Sequence, residues 1–371
     1  MLKIMHKENI IDKNAERYYK SSKALFLPVK PIQAINGFEL KLGNRHYLFN
    51  GCETPFNNIS SASTAEDKYC THQILEMAGI PVPKAVSLHV NDFNQNKTEE
   101  VIADLKFPLV IKPLVNGAQG RDVLCNIQTF EELQIALAQH FKSYNYLLVE
   151  EFHGKLTSYR VLVFNRRVIG VVIRYPASVI GDGQHNITEL VALTNKKRKA
   201  ISDFLGPIKL DDEGQIKLKE LGINAEYIPS IGERVALCYT SNATRGGTFR
   251  PLGNQICKEN RKLMIKVAAV LNLGLAGIDV ECADINRPIE QTNGVIIEVN
   301  HRPSIRIHEC PIDGTPHLVT KQIMRYFIFR HPLSYLYALY SNKPTSFYIR
   351  TFMLTSILGL IFLLSMGNFP L

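Results

Sequence analysis

The chain reads as an α+β protein with several α/β-type lobes. Two observations predict this. Short apolar strand-like runs alternate with amphipathic helical stretches, and no repeat or low-complexity tract breaks the alternation over its 371 residues. A third observation sets one end apart: beyond Arg350 the sequence loses all charge. Hydrophobic residues make up 46% of the chain, enough for substantial cores. Lys and Arg number 43 against 34 Asp and Glu, a formal net charge of +9. That basicity suits nucleic acid, anionic lipid or a small anionic substrate. With no zinc finger, aromatic RNA-binding signature or base-reading basic helix, nucleic acid is excluded as the expected partner. The seven cysteines are scattered and lack a CxxC pair, so they read as thiols of a reducing compartment rather than a disulfide frame or zinc site. The N-terminal stretch is too charged for a secretory signal, which makes the expected location cytoplasmic.

In chain order, residues 1–60 alternate short apolar runs with Gly, Pro and Asn and predict a small, partly β region. Ser63-Thr64-Ala65-Glu66 has the form of a capping box opening a helix through Met77, closed by Gly79. A short strand is expected from Ala85 to Val90, then a polar stretch, then a buried strand from Phe107 to Pro113. An amphipathic helix over Glu131–His140 precedes a strand from Tyr146 to Glu150. Val161 to Arg174 predicts a hairpin turning at Asn165-Arg166-Arg167. Gly181-Asp182-Gly183 suits a tight hairpin. The basic run Lys196-Lys197-Arg198-Lys199 reads as a solvated helix face. A further amphipathic helix covers Glu259–Leu271.

The most informative pattern runs from Ala276 to His308. Asp279 leaves one apolar run, while Glu298 and Asn300 leave a second, two positions apart. On a strand such positions project from one face, so a carboxylate and an amide oxygen point the same way. A neighbouring strand carrying Asp279 completes an all-oxygen set, the donor type for a hard divalent cation that also touches phosphate. The competing reading is a strand pair with solvated polar ends. Upstream, Lys112 ends a buried strand and leads into Asn116-Gly117-Ala118-Gln119-Gly120-Arg121. Glycines let a loop close over phosphates through backbone N–H groups, though a tight turn explains them equally. The loop fits neither GxxxxGK[ST] nor GxGxxG.

Taken in order, these segments resemble the ATP-grasp ligases, with the greatest likeness to the ATP-grasp module of cyanophycin synthetase and bifunctional glutathione synthetase. The resemblance runs from about Ser61 to Arg330. Its marks are Asp67-Lys68, Ala78 to Pro83, the Lys112 strand and glycine loop, Leu148 to Phe152, Arg160 and Arg174 to Ala177. They continue through Val179 to Gly183, Ser241 to Thr248, Gly277-Ile278-Asp279, and Ile297 through His308. It implies an ATP-grasp fold with an N-terminal preATP region over 1–105. The ATP-grasp domain is then 106–330, divided into a small ATP lobe, 106–155, and a catalytic lobe, 156–330. An aromatic linker and hydrophobic tail occupy 331–371. By resemblance Lys68 and Lys112 contact ATP phosphates, and Gly117, Ala118, Gln119, Gly120 and Arg121 form the loop over them. Glu150, Glu151, Phe152 and His153 form the hinge against adenine, Glu150 facing its exocyclic amine. Asp279, Glu298 and Asn300 hold Mg²⁺, with Mn²⁺ as an alternative. Arg160, Arg174 and Arg306, with Asn242 and Arg245 nearby in sequence or role, suit the anions that must meet in the reaction. His308 is a substrate-side candidate. The implied activity is an ADP-forming carboxylate–amine ligase passing through an acyl phosphate, acting on an amino acid or short peptide. The implied assembly is a homo-oligomer.

The chain also departs from that pattern. Ser158 stands where these ligases place a carboxylate for the ribose hydroxyls, and Cys238 where close relatives carry an arginine. No partner ligase module accompanies the domain, so a stand-alone ligase is expected. The alternatives are a catalytically degenerate ATP-binding, membrane-tethered interaction protein, or a ligase acting on a protein or peptide terminus. Residues 351–371 carry no charge and follow Lys343, Arg350 and an aromatic stretch. A span needs roughly 17–25 apolar residues, so this tail predicts a membrane attachment on the cytoplasmic face, the alternative being a buried terminal helix.

Overall fold

The computed structural model describes residues 12–114, 122–154, 156–201, 205–311 and 314–366. The chain divides into two compact units, one from the segments up to Pro55 and from Leu318 onward, the other from Phe56 to His317.

The first unit opens with α1 (Lys13–Ala24), whose cap Asp12 accepts from the backbone N–H groups of Asn14 and Ala15 at 2.7 and 3.0 Å. A three-stranded antiparallel meander follows: β1 (Val29–Ile32), β2 (Gly37–Leu42) and β3 (Arg45–Asn50). The period-two pattern of β2 buries Phe38, Leu40 and Leu42. Phe38 stacks on Phe49 with centroids 4.6 Å apart.

In the second unit the helix expected from Ser63 to Met77 is two helices. The first, α2 (Ile59–Glu66), is capped by Asn58, which accepts from Ser61 N at 2.8 Å. The second, α3 (Lys68–Met77), is capped by Asp67, which accepts from Cys70 N at 2.9 Å. Asp67 is extended, so it both ends one helix and starts the next. Gly79, at φ +64°, closes α3 as expected.

Next come β4 (Ala85–His89), α4 (Val90–Asn94), α5 (Thr98–Val101), β5 (Leu109–Pro113), β6 (Leu124–Ile127), α6 (Phe130–His140) and β7 (Tyr146–Glu151). The four strands form an antiparallel sheet ordered β4-β7-β5-β6 over a core that includes Leu88, Ile111, Leu133 and Val149. Because β4 pairs with β7, the boundary expected at 105/106 falls inside this sheet's sequence.

Then follow β8 (Thr157–Phe164) and β9 (Arg167–Tyr175), the expected hairpin, with Asn165 and Arg166 both at positive φ in its turn. The rest of the unit is β10 (Ser178–Ile180), α7 (Ile187–Ile201), α8 (Asp212–Glu220), β11 (Arg234–Ala236), β12 (Thr248–Gly253), α9 (Lys258–Val270), β13 (Leu275–Cys282), β14 (Val295–Asn300) and α10 (Arg306–Glu309). A five-stranded antiparallel sheet has the order β12-β9-β8-β13-β14. One face sends Tyr159, Val161, Val163, Ile278, Val280, Ile296 and Val299 into a core with Leu75 of α3 and Met264 and Val267 of α9.

Two expectations are corrected here. The Gly181-Asp182-Gly183 turn does not reverse a hairpin, since β10 pairs with the distant β11. Gly181 instead passes so close to the Ser230 carbonyl that a Cβ would stand 2.2 Å from it. Of the basic run on α7, Lys196, Lys197 and Lys199 are exposed but Arg198 is buried. Its guanidinium donates to the carbonyls of Gly206, Ala243 and Gly247 at 3.0–3.2 Å and ties α7 to the loop before β12.

The first unit is completed by α11 (Val319–Arg330), α12 (Pro332–Ser341) and α13 (Lys343–Met366). In its core Phe327 meets Tyr47 at 4.7 Å, and the hydroxyls of Thr320 and Ser21 lie 2.7 Å apart. The 24-residue α13 is about 36 Å long. Its apolar window, Pro344–Ser365, contains no buried residue.

Removing the buried guanidinium takes a donor from three backbone carbonyls, of which Ala243 keeps the N–H of Gly206 at 3.0 Å. Arg198→Ala is therefore expected to destabilise the second unit by about 3 kcal/mol, while Lys196→Ala stays within about 0.5 kcal/mol of the parent. Denaturant midpoints at constant slope measure both; equal effects would return Arg198 to the solvated face.

Candidate active site

The face of the five-stranded sheet opposite the α9 core is polar because strand registers align its charges in rows. Asp279 on β13 lies directly across from Arg160 on β8 and from Glu298 on β14. Two residues along, Glu281 lies across from Ser158, which lies across from Arg174 on β9. Asn300 faces Gly277 and donates to its carbonyl at 3.5 Å. A bulge at Ile297, the extra residue between the Asp279–Glu298 and Val280–Ile296 pairs, keeps both Glu298 and Ile296 on their respective faces.

Asp279 is the centre of this arrangement. It accepts from Arg160 Nε, from Arg160 Nη2 at 3.0 Å and from Arg174 Nη1 at 3.0 Å. Burial alone would push its carboxyl up, but the two guanidinium groups hold it below the usual carboxylate range. Arg174 also donates to Ser158 Oγ at 2.8 Å, while its Nε is buried with no partner. Burial pushes the Glu281 carboxyl up to about 7, Arg174 pulling it down and Glu150 pushing it further up.

The four-stranded sheet supplies the facing groups. Lys112 on β5 is buried and donates to Glu150 Oε1 on β7 at 2.7 Å; Glu150 Oε2 is buried without a partner. Lys68 begins α3, where its backbone N–H reaches the Leu114 carbonyl at 3.5 Å. One turn later His72 Nε2 bonds the carbonyl of the bulged Ile297 at 3.1 Å, which draws this end of α3 to Glu298. Burial lowers the Lys68 pKa, Glu298 opposes that, and Lys112 adds to it. Lys112 lies near enough to disfavour the charge on Lys68, and the two lysines together create a place for an anion.

The structure thus brings Lys68, Lys112, Glu150, Ser158, Arg160, Arg174, Asp279 and Glu298 to one cleft between two sheets of the same unit. At the β9–β12 end of the same face, Val172, Phe249, Ala243 and Ile307 pack together, bringing Asn242 and Arg306, the sequence neighbours of the last two, to that end. Asn242 Oδ1 is engaged locally, accepting from Thr244 N and Oγ1. Arg245 pairs with Asp211 and, at 2.8 Å, Glu213. In the hinge, Glu151 accepts from Lys106 N at 3.1 Å. Phe152 packs edge-on against Tyr239, and His153 Nε2 is buried without a partner. Gly117, Ala118, Gln119, Gly120 and Arg121 lie outside the described residues. His308 is completely buried, so it presents no surface to a substrate.

Glu281 was missed by the sequence reading. The i, i+2 rule applied to Glu298 and Asn300 applies equally to Asp279 and Glu281 and would have found it. Among the described residues no three His, Cys, Asp or Glu side chains converge as a metal cage. The donors on offer are instead two carboxylates directly across a strand pair and an amide oxygen beside them. Such a set fits magnesium brought in with phosphate oxygens, since Mg²⁺ takes one or two carboxylates plus substrate oxygens in preference to an all-protein cage.

Comparison with known proteins identifies the family and the fold. Residues 65–196 match the RimK-like ATP-grasp domain. The chain is 35% identical over 275 residues to cyanophycin synthetase of Synechocystis sp., covering 72% of this chain and 31% of that one. It is 31% identical over 273 residues to the glutathione biosynthesis bifunctional protein of Clostridium perfringens, covering 72% and 34%. The chain therefore spans about a third of the length of these relatives. The fold matches the crystal structure of a bifunctional glutathione synthetase from Pasteurella multocida with a TM-score of 0.59, at 23% identity, over 87% of this chain and 44% of that one.

The His308 ring has no hydrogen-bond partner at either nitrogen, and burial with the nearby Arg160 charge pushes its pKa down to about 3. An unfolded chain takes up this proton near pH 6.5, well before the folded one, so the neutral ring's contribution to stability fades as pH falls from 6.5 toward 3. Replacing His308 by Gln removes the titration. The stability difference between parent and variant is expected to shrink by about 2 kcal/mol from pH 7.5 to 5; a pH-independent difference would place the ring in contact with water.

Proposed function

Because the chain belongs to the ATP-grasp superfamily, we propose that it is an ATP- and Mg²⁺-dependent carboxylate–amine ligase acting on an amino acid or short peptide. The observation that carries this reading is the facing of Lys112–Glu150 with the Arg160–Asp279–Arg174 cluster in one cleft. Lys68 and Lys112 bind the phosphates, and Glu150 Oε2, buried and unpartnered, accepts from the exocyclic amine of adenine. Asp279, Glu298 and Asn300 would hold magnesium, whose charge would offset that of the phosphates.

The remaining task is to bring a substrate carboxylate to the γ-phosphoryl group, two anions that repel. Arg160 and Arg174 are rigidly held by Asp279 and present preorganised N–H groups to that charge, with Arg306 at the same end of the face. The carboxylate oxygen attacks phosphorus and ADP leaves. The substrate amine then attacks the acyl carbon, phosphate leaves, and an amide remains. Positioning and electrostatics carry both steps, with no covalent enzyme nucleophile.

The α13 helix supports a second element of the reading, attachment to a bilayer. A core helix would be covered, whereas no residue of its apolar window is buried, and about 36 Å exceeds the roughly 30 Å hydrocarbon thickness. Lys343 and Arg350 precede the window's most apolar part, a basic flank that supports a ligase unit on the cytoplasmic side.

Two outcomes are expected. A panel of amino-acid pairs scored for phosphate release should show turnover that needs ATP, Mg²⁺ and both substrates, and Asp279→Asn or Glu298→Gln should lower it by about a hundredfold or more. Full activity in either variant rejects the metal assignment, and nucleotide binding without ADP formation across the panel points to a non-catalytic module. The full chain should pellet with membranes and resist a high-salt wash, while a chain ending at Asn342 should be soluble; a full chain soluble without detergent removes the tether.

A further inference from the structure

An unpaired acid on the cleft floor has no place in the mechanism above. Glu281 projects from β13 on the same face as Asp279 and is only partly exposed. Its side chain makes no hydrogen bond or ion pair among the described residues. By its register on β13 it shares the charged face with Asp279, in a row with Ser158, and the charges of Arg174, Glu150, Lys112 and Asp279 all act on it. A carboxylate there repels the phosphates that the same cleft is proposed to bind. It belongs only where a ligand offers it hydrogen-bond donors.

ATP offers few. Its phosphates and ring nitrogens are acceptors, leaving the exocyclic amine and the two ribose hydroxyls as donors. Glu150 takes the amine in the reading above. The order along the sheet assigns the rest. The hinge strand β7 ends at Glu151, and β8 starts at Thr157 with Ser158 next. The Ser158–Glu281 row is therefore the first beyond the hinge, and the Arg160–Asp279–Glu298 row lies two residues, about 7 Å, further on. Base, sugar and phosphates meet hinge, first row and second row in turn. In the first row Ser158 Oγ is already engaged by Arg174, which leaves the Glu281 carboxylate as the charged acceptor.

We propose that Glu281 is the ribose-binding residue of this cleft, accepting hydrogen bonds from the 2′- and 3′-hydroxyls in place of a carboxylate on β8 at Ser158. This deepens the ligase reading and rests on it for ATP as the ligand, but it concerns binding alone. Directly cross-strand side chains have Cβ atoms about 5 Å apart, so a carboxylate moved from β8 to β13 still reaches the same ligand atoms.

The test titrates ATP, 2′-deoxy-ATP and 3′-deoxy-ATP with Mg²⁺ calorimetrically into the full chain and its Glu281→Gln, Glu281→Ala and Ser158→Asp/Glu281→Ala variants. Each protein is first checked for an unchanged denaturant midpoint region by circular dichroism. The parent should prefer ATP over both deoxy forms by roughly tenfold or more, the value of hydrogen bonds to a charged acceptor. Either single variant should lose that preference, weakening ATP while leaving the deoxy forms nearly unchanged, and the double variant should regain it. If ATP and the deoxy forms weaken together, or the preference survives, Glu281 serves only the local field and the proposal fails. Preference lost with no ligase turnover in the parent would uphold this assignment and reject the ligase. A parent that binds no nucleotide rejects both.

Discussion

The site is organised by one buried carboxylate caught between two guanidinium groups. Taking Asp279, Arg160 and Arg174 out of water is costly, and the cost is offset only because each pairing is hydrogen-bonded with defined geometry. Three adjacent strands meet at this point, so the pairing also fixes β9, β8 and β13 in register. A one-residue slip at β8 would turn Arg160 into the apolar core and Val161 or Tyr159 into the cleft. The same interaction thus holds the fold's register and orients the charges that the proposed chemistry uses.

That division of labour runs through the whole sheet. Val161, Ile278 and Val280 alternate with Arg160, Asp279 and Glu281, giving one dry face and one charged face. The bulge at Ile297 is what allows β14 to obey the pattern twice, with Ile296 in the core below it and Glu298 in the cleft above. Its exposed carbonyl is not wasted, since His72 bonds it and brings Lys68 along on the same helix. Local irregularity in one strand is therefore how α3 is set beside the acids of β13 and β14.

Much of this was legible from alternation. The β8–β9 hairpin, the buried Lys112 strand and the shared face of Asp279, Glu298 and Asn300 follow from period-two patterning and turn chemistry. The misreadings have local physical causes. Ser63 and Glu66 satisfy a capping pattern, but Asn58 and Asp67 are better placed to accept orphan N–H groups, and an extended Asp67 splits the helix. A run of four basic residues contains no hint that Arg198 turns inward, because its partners are carbonyls from residues far along the chain. Arg245 was read as an anion-binding group, yet it is shared by Asp211 and Glu213, acids a sequence pattern does not connect to it.

Charge balance explains why the proposed nucleotide must arrive with its cations. Lys68, Lys112, Arg160 and Arg174 are matched by Glu150, Asp279, Glu298 and Glu281, so the cleft as built has little net positive charge. A site made only of lysines and arginines would bind a free triphosphate tightly and release ADP slowly. This one offsets only part of a polyanion's desolvation, and in the proposed function the remainder would fall to divalent ions held by Asp279 and Glu298. In the proposed reaction, once the γ-phosphoryl group has left, Asp279, Glu298 and Glu281 would face an ADP of lower charge and oppose its staying. Under this reading the same carboxylates that make magnesium obligatory for entry also favour product release, which a purely basic cleft would not.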